Sequence, residues 1–489
     1  MGRVAVVVGG TGLAGYELPV HLLEDFSGAE AFDKVAVLSR SVSERTFKGK
    51  SSREVIPLRA DLGDAQSVAA ALRAAGCERV THVFWLVDAN RPPKLANAVA
   101  IRRLLAVSSL LGPVTRAMLE SAPSSVQAAV YGQMAYLAGS GSQPRNIEWL
   151  GNMLAALELV RAPLENWTMC HGGKHYGMHL GPSVYSGYAT PFEEDEHKCV
   201  GPLSYFEMQD WLEAAAAAKG FSWNVVRPTF IMGSSPERSD STQNFGLVLA
   251  IYAHVLRAQG KPLLFPGSAG AWEARIQLST SKKIAHVAAW AATASAAGLE
   301  RQRARGASQD QRASQDAYRD PEPRSVRNQA FNVVSCDEFS WRELWPQVAR
   351  YFAMPPGPEP DSHGGLLCLD VMGGVEQAER TWGELRARHG LQDLPLANLF
   401  NADFLDKSFV ATWDSGFSSA KLARAGFPKD QLLESDALRI MLDLFAELQD
   451  DNLIPRKPSS KAASPSRMAR RAAKRKLADA NKQLLALHA

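Results

Sequence analysis

The first residues of the chain combine a short apolar segment with regularly spaced glycines. Residues 4–8 are all valine or alanine, which is typical of a buried parallel strand. Gly9, Gly12 and Gly15 follow at intervals of three, and an amphipathic segment comes next. Gly9 permits a tight turn, Gly12 lets a pyrophosphate approach the backbone, and Gly15 lets a helix pack against the strand. The helix N-terminus then faces the phosphates, so the pattern predicts a dinucleotide site; a turn without a ligand is the weaker alternative.

A second group of reactive side chains stands at residues 170–177, which read CHGGKHYG. Gly172 and Gly173 expose the backbone there, while a lysine, two histidines and a tyrosine follow the fifth predicted strand. Ligands bind at the carboxyl ends of parallel strands. Polar side chains at this position therefore favour a catalytic role over a structural one.

The elements that must position these residues form a repeating pattern of strands and helices. Six strands are predicted, at residues 3–8, 34–38, 54–58, 81–86, 167–169 and 222–228. Helical patterns lie between several of them, at 65–75, 147–161 and 202–218. This alternation predicts an α/β fold with a doubly wound parallel Rossmann sheet. Further segments are predicted as a helix at 282–297, a strand at 328–333 and helices at 340–352 and 435–448.

Composition divides the chain into three predicted regions. Residues 1–265 form a dinucleotide-binding domain with an insertion near 91–147, and 266–455 form a smaller C-terminal substrate lobe with a disordered insertion near 299–327. Residues 456–489 form a tail with ten Lys or Arg and one Asp, so the rest of the chain, at +3 overall, carries −6. The tail is either a nuclear-targeting or nucleic-acid patch or a solvated appendage, and the second is favoured.

Several classes of protein are disfavoured by the composition. No apolar run approaches the ~20 residues that span a bilayer. Strand residues begin at Arg3, so we expect no signal peptide ahead of the fold. The five cysteines are odd in number, scattered and without metal-ligand spacing, which predicts a reducing compartment and no metal site. We therefore expect a cytoplasmic protein without a membrane or nucleic-acid partner, for which a homodimer is a candidate assembly.

Two polar residues bear on the identity of the dinucleotide. Arg40 follows the second strand, where a carboxylate would accept the ribose 2′-OH of NAD, and an arginine there instead favours the 2′-phosphate of NADP over an ordinary solvated role. Asp61 follows the third strand, where an acceptor for the adenine amino group and an N-cap for the next helix are equally favoured. The predicted cofactor-binding residues are Gly9, Thr11, Gly12, Leu13, Gly15, Arg40, Asp61, Leu62 and Ile231.

The strands and the glycine turn together resemble the extended short-chain dehydrogenases/reductases. Those enzymes usually carry a lysine four residues after the catalytic tyrosine, but Gln209 stands four residues after Tyr205. Residues 173–177 (GKHYG), 204–206 (SYF) and 226–228 (VRP) resolve this, because together they resemble the progesterone 5β-reductase/iridoid synthase family. The resemblance covers most of residues 3–450. In that family the catalytic lysine comes from the loop after the fifth strand, which accounts for Gln209.

The resemblance implies an NADPH-dependent oxidoreductase that reduces the carbon–carbon double bond of a small-molecule enone. Hydride reaches the β-carbon, and the charge that collects on the carbonyl oxygen needs a preorganised donor. Tyr205 would supply the phenol O–H and Lys174 would tune its acidity. Trp85, His175 and Tyr176 are the predicted substrate-pocket residues, with His175 and Tyr176 favoured over His171.

The chain departs from the family's usual motifs in three places, one of which is Ser41 after Arg40, where the family often has a second arginine. The family usually reads Gln-Thr-Gly where this chain has Cys170-His171-Gly172, and Asn-Phe-Tyr-Tyr where it has residues 203–206 (LSYF). The substrate is therefore not assumed to be a steroid or an iridoid. The alternative functions are a catalytically inactive NADP-binding regulatory or scaffold protein, and an epimerase or dehydratase, against which Gln209 argues.

Overall fold

The structure is a computed structural model of the 489-residue chain. It describes residues 2–24, 31–40, 42, 47, 53–87, 121, 143–182, 187–196, 199, 203–235, 244–307, 326–360, 367–409 and 411–456. Three predicted regions lie mostly or wholly outside the described residues: the insertion near 91–147, the insertion near 299–327 and the basic tail after 456.

A parallel sheet of seven strands forms the centre of the fold. The strands, in chain order, are β1 (Val4–Val8), β2 (Lys34–Leu38), β3 (Ile56–Leu58), β4 (His82–Trp85), β5 (Asn166–Cys170), β6 (Ser222–Pro228), β7 (Phe230–Met232), β8 (Leu278–Thr280) and β9 (Gln329–Val333). The large sheet runs β3-β2-β1-β4-β5-β6-β9, while β7 and β8 form a separate parallel pair. All neighbours in the large sheet are parallel, and the strand order reverses between β1 and β4. The doubly wound α/β prediction is confirmed.

Helices cover both faces of this sheet and build a second lobe beyond it. In chain order they are α1 (Leu18–Leu23), α2 (Ala65–Ala74), α3 (Pro144–Leu159), α4 (Ser204–Lys219), α5 (Phe245–Ala258), α6 (Ala269–Glu273), α7 (Ser281–Ala307), α8 (Trp341–Tyr351), α9 (Cys368–Val371), α10 (Val375–His389), α11 (Leu396–Leu399), α12 (Ala402–Ser408), α13 (Ala420–Arg424) and α14 (Ala437–Asp450). Short 3-10 helices span Gly173–Tyr176 and Lys429–Gln431. One apolar layer joins α1 and α7 to the sheet, and the other joins α2, α3 and α4 to it. Among the described residues, no helix has the length and apolar character needed to cross a bilayer.

The first helix begins later than the glycine pattern predicts. It starts at Leu18, with Pro19 in its first turn. Proline has no N–H to bond the carbonyl four residues earlier, so a regular helix cannot run through it from Gly15. The preceding residues form tight turns instead, in which the Gly12 N–H donates to the Gly9 carbonyl at 2.9 Å.

The chain returns to the large sheet after the predicted boundary at residue 265. Strand β9 pairs with β6 in parallel, and Phe331 in it is fully buried. Helix α7 packs on the same layer through Ile284 and Ala288, and it continues to Ala307 rather than ending at 297. The predicted division differs from the structure here because an apolar strand distant in the chain can extend the edge of a parallel sheet.

The second lobe has its own core, formed mainly by α5, α8, α10 and α14. Helix α8 starts with a capping box in which Ser340 and Glu343 satisfy each other's backbone N–H groups. Its buried face carries Trp341 and Trp345, whose rings lie 5.7 Å apart edge to face. The aromatic side chains of this helix thus belong to the core of the second lobe.

Three deeply buried histidines make the stability of the fold depend on pH. Burial, with smaller contributions from nearby arginines, lowers the pKa of each from 6.5 to about 3; they are His82, His171 and His254. Below pH 6.5 the unfolded chain binds protons that the folded chain does not, so stability is lost as the pH falls. Each residue costs ~1.4 kcal/mol per pH unit in this range.

We expect the free energy of urea unfolding to fall steeply between pH 6.5 and 4.5, by ~4 kcal/mol per pH unit from these three groups together. Because burial also lowers the pKa of His21 and His179 to about 3, His82→Gln should reduce the measured slope by ~1.4 kcal/mol per pH unit, whatever its effect on stability at pH 7.5. Identical slopes for the variant and the wild type would contradict a neutral, buried His82.

Candidate functional site

The glycine turn after β1 has the geometry that a bound dinucleotide requires. Gly9 has φ +85°, which favours glycine, and a Cβ at Gly15 would lie 2.5 Å from the Gly9 carbonyl oxygen. The two ends of the turn can therefore approach this closely only with glycine at position 15. The turn sits at the strand-order reversal, where ligands bind in open α/β sheets.

Two serines from distant segments hold the backbone of the turn. Ser235 donates its hydroxyl to the Thr11 carbonyl at 2.7 Å, and Ser281 donates to the Leu13 carbonyl at 2.8 Å. Thr11 and Leu13 are themselves buried. Neither serine belongs to a motif that the sequence analysis recognised, because each acts only through a long-range backbone contact.

Arg40 and Asp61 are exposed just after β2 and β3, on the same side of the glycine turn. Asp61 accepts from the Gly63 N–H at 3.0 Å, whereas the side chain that caps α2 is Asp64, which accepts from Gln66 N–H. The capping interpretation of Asp61 is therefore wrong. The glycine turn fits a dinucleotide, and the 2′-phosphate role of Arg40 and the adenine role of Asp61 stay predictions.

The two other predicted cofactor residues are half-buried. Leu62 accepts a hydrogen bond from Asn152 through its carbonyl at 2.9 Å, and Ile231 lies in β7 against the apolar layer of α1 and α7. Their contact with a cofactor stays a prediction.

The loop after β5 brings the predicted catalytic segment against the start of α4. A Cβ at Gly172 would lie 3.6 Å from the Tyr205 hydroxyl oxygen. Lys174 follows two residues later, half-buried in the 3-10 helix, and Gly177 ends that helix in the left-handed conformation. The Tyr205 hydroxyl thus lies beside the backbone that carries Lys174, at the carboxyl end of a central strand.

The imidazole of His171 stacks on the ring of Tyr205. The two ring centroids are 4.6 Å apart and the planes differ by 4°. The sequence analysis favoured His175 and Tyr176 over this residue, since both match the family motif. Only the folded structure places the imidazole flat on the phenol.

A buried arginine connects the two catalytic segments. Arg227, only 2% exposed, donates to the Tyr176 hydroxyl at 3.0 Å and to the Gln209 side-chain oxygen at 3.1 Å. It also donates to the Glu194 carbonyl at 3.1 Å. Gln209 therefore serves as a hydrogen-bond acceptor for the Arg227 guanidinium. A lysine at this position would place a second cation beside it.

The acidic loop at residues 193–196 is a run of four carboxylates that would be expected on a solvated surface, but it is partly a buried structural element. Glu194 is 8% exposed, and its carboxylate accepts from the Asn332 N–H at 2.7 Å. Burial raises the pKa of Glu194, opposed by that hydrogen bond and by nearby Lys421 and Arg227. Asp195 next to it pairs with Lys421.

The three predicted substrate-pocket residues, Trp85, His175 and Tyr176, are all buried. Within the part of the chain that the structure describes, none of them lines an open pocket; each packs against other side chains. Trp85 has no exposed surface and packs 5.8 Å from the Trp167 ring within the core. His175 is 2% exposed and lies edge-on to Phe206. Tyr176 donates to Asn332 at 2.7 Å, and burial raises its pKa to about 12 despite the nearby Arg227.

Comparison with known proteins identifies the class of this chain. Residues 134–319 match the family model for the PRISE-like Rossmann-fold domain, a span that includes Lys174, Tyr205 and Arg227. Similar proteins include the short chain dehydrogenase gsfE of Penicillium aethiopicum, 26% identical over 318 residues that make up 62% of this chain and 73% of that protein. The matched span is therefore a PRISE-like Rossmann-fold domain, and this relative is named as a short chain dehydrogenase. The resemblance to the progesterone 5β-reductase/iridoid synthase family is confirmed by the match to this domain model.

Two plant proteins are similar over a shorter span. The 3-oxo-Delta(4,5)-steroid 5-beta-reductase of Arabidopsis thaliana is 30% identical over 51% of this chain and 56% of that protein. The (S)-8-oxocitronellyl enol synthase CYC2 of Camptotheca acuminata is 28% identical over 54% of this chain and 56% of that protein. The matches thus cover little more than half of each plant protein. Among solved structures, UDP-glucose 4-epimerase of Thermotoga maritima is similar with a TM-score of 0.46 and 14% identity, over 91% of this chain and 100% of that one.

Substitution of Gln209 tests the role assigned to it. Gln209→Lys places an ammonium against the buried guanidinium, so we expect a loss of ~3–5 kcal/mol in the free energy of urea unfolding. Gln209→Met removes the acceptor for Arg227 and the donor to Glu213, and it should cost ~1–3 kcal/mol. A lysine variant as stable as the wild type would contradict the Arg227 contact.

Proposed function

We propose that this protein is an NADPH-dependent reductase of the carbon–carbon double bond of enones. The observation that carries the proposal is the approach of the Tyr205 hydroxyl to Gly172, beside the loop that holds Lys174. Similarity to a steroid 5β-reductase and to enol synthases supports the same reaction type. Substrate identity is left at the level of an α,β-unsaturated carbonyl compound.

The dinucleotide would be held by the glycine turn and by Arg40. Backbone groups of the turn receive the pyrophosphate, and the guanidinium of Arg40 pairs with a 2′-phosphate. When bound, NADPH supplies the hydride for the reduction. Ser235 and Ser281 keep the turn in its binding conformation through their bonds to Thr11 and Leu13.

Tyr205 would stabilise the charge that develops on the substrate. Reduction at the β-carbon moves negative charge to the carbonyl oxygen, which becomes an enolate. A phenol O–H fixed before the reaction stabilises that oxyanion without reorganising, which makes donors of this kind effective. The ammonium of Lys174 near the phenol would make the Tyr205 O–H more acidic. A more acidic O–H is a stronger hydrogen-bond donor to the enolate oxygen.

The roles of Tyr205 and Lys174 are tested by kinetics with NADPH and small cyclic enones, following the absorbance of the reduced cofactor. Tyr205→Phe and Lys174→Met should each lower kcat about 10²–10³-fold, the usual loss for one oxyanion donor. Affinity for NADPH should stay within about twofold, since neither side chain belongs to the glycine turn.

Tyr351→Phe is a matched control for that experiment, because it removes a phenol oxygen from the second lobe. It should keep the wild-type rate. A Tyr205→Phe variant that also keeps the wild-type rate would overturn the assigned role.

Arg40 is expected to select the phosphorylated cofactor. Arg40→Ala should raise the Kd for NADPH about 10–100-fold, as the loss of a charge-assisted hydrogen bond predicts, with little change for NADH. Fluorescence titration of both cofactors measures this difference. Arg73→Ala, an exposed arginine bonded to the Leu159 carbonyl, is the control and should change neither Kd. Equal losses for NADPH and NADH would contradict a contact with the 2′-phosphate.

A further inference from the structure

The imidazole of His171 is held in place by contacts just beyond the end of β5. Its backbone N–H donates to the Val226 carbonyl at 2.9 Å, which ties this residue to β6. The side chain is 4% exposed, and its Nε2 lies 2.9 Å from the Met169 sulfur. The ring therefore has little freedom to rotate away from its neighbours.

Tyr205 needs such a fixed neighbour because it begins a helix at the edge of the core. It is the second residue of α4 and is half-buried. Rotation of its side chain would carry the hydroxyl away from Gly172. The flat face of His171 covers one side of the phenol, at 4.6 Å between centroids, while the Gly172 backbone lies at the hydroxyl end.

We propose that His171 is a positioning residue for Tyr205, whose phenol plane and hydroxyl direction it fixes by parallel stacking. The inference rests on the proposed function in one respect: the fixed hydroxyl is the donor to the enolate. Preorganisation of this kind matters because a displacement of about 1 Å at the reacting centre can cost ~100-fold in rate.

The character of the contact follows from the burial of the imidazole. Desolvation, together with the nearby Arg227 guanidinium, lowers the pKa of His171 to about 3. The ring is therefore uncharged at neutral pH, and its contact with Tyr205 is one between two neutral aromatic rings. A phenylalanine can reproduce such a stack. A threonine cannot, and threonine is the residue that the progesterone 5β-reductase/iridoid synthase family usually has at this position.

Fluorine NMR measures the stack without any need for activity. The full-length protein is labelled with 3-fluorotyrosine, and the Tyr205 resonance is the one that is lost in Tyr205→Phe. We expect this resonance to move on His171→Thr, because the ring-current effect of the stacked imidazole disappears. It should stay near its wild-type position, and equally narrow, in His171→Phe. An unchanged resonance in His171→Thr overturns the inference.

Kinetics with a small enone measure the consequence for the proposed reaction. His171→Thr should lower kcat about 10–100-fold. Its Kd for NADPH should stay within about twofold, and His171→Phe should restore most of the wild-type kcat. Thermal unfolding of each variant separates this loss from misfolding. If the two substitutions lower kcat equally, or if His171→Thr leaves kcat unchanged, a positioning role is contradicted.

The two experiments separate this inference from the proposed function. A wild-type protein that binds NADPH but reduces no enone would refute the function. The Tyr205 resonance would still decide whether His171 fixes the phenol.

Discussion

One buried guanidinium holds together the segments on which this site depends. Arg227 on β6 bonds Tyr176, two residues after Lys174, and Gln209, one helical turn after Tyr205. A buried cation is costly unless it is hydrogen-bonded, and here the two terminal nitrogens of the guanidinium make those bonds, so these partners constrain one another. The loop after β5 and the start of α4 are therefore fixed to the same group. This arrangement explains how a lysine can come from a loop instead of from the tyrosine helix, since the helix position is already committed to Arg227.

Much of the fold could be predicted because its determinants are local and periodic. The valine-rich first strand, the glycine spacing and the strand–helix alternation each follow from short-range geometry, and β6 at residues 222–228 has the predicted bounds. Gly15 was predicted to allow close packing, and the 2.5 Å approach of a Cβ there to the Gly9 carbonyl oxygen agrees with that prediction. The neighbourhood of Tyr205 and the Lys174 loop was predictable for a similar reason, because parallel strands end at a common edge.

The remaining features depend on partners that are distant in sequence. Glu194 lies in a run of four acidic residues and becomes buried only because the backbone of Asn332, 138 positions later, binds its carboxylate. Trp85 is a predicted pocket residue, but the alternation of side chains along β4 turns it into the core beside Trp167. His171 was ranked below its neighbours because motif matching cannot show which ring reaches Tyr205. No local pattern encodes these contacts.

The most direct measurement for the central claim is a crystal structure of the protein with NADP⁺ and 2-cyclohexen-1-one. The account predicts that the carbonyl oxygen of the enone lies within ~3 Å of the Tyr205 hydroxyl, with the Lys174 ammonium on the same side of β5. An enone carbonyl bound by other residues, with Tyr205 and Lys174 facing separate regions, would contradict it.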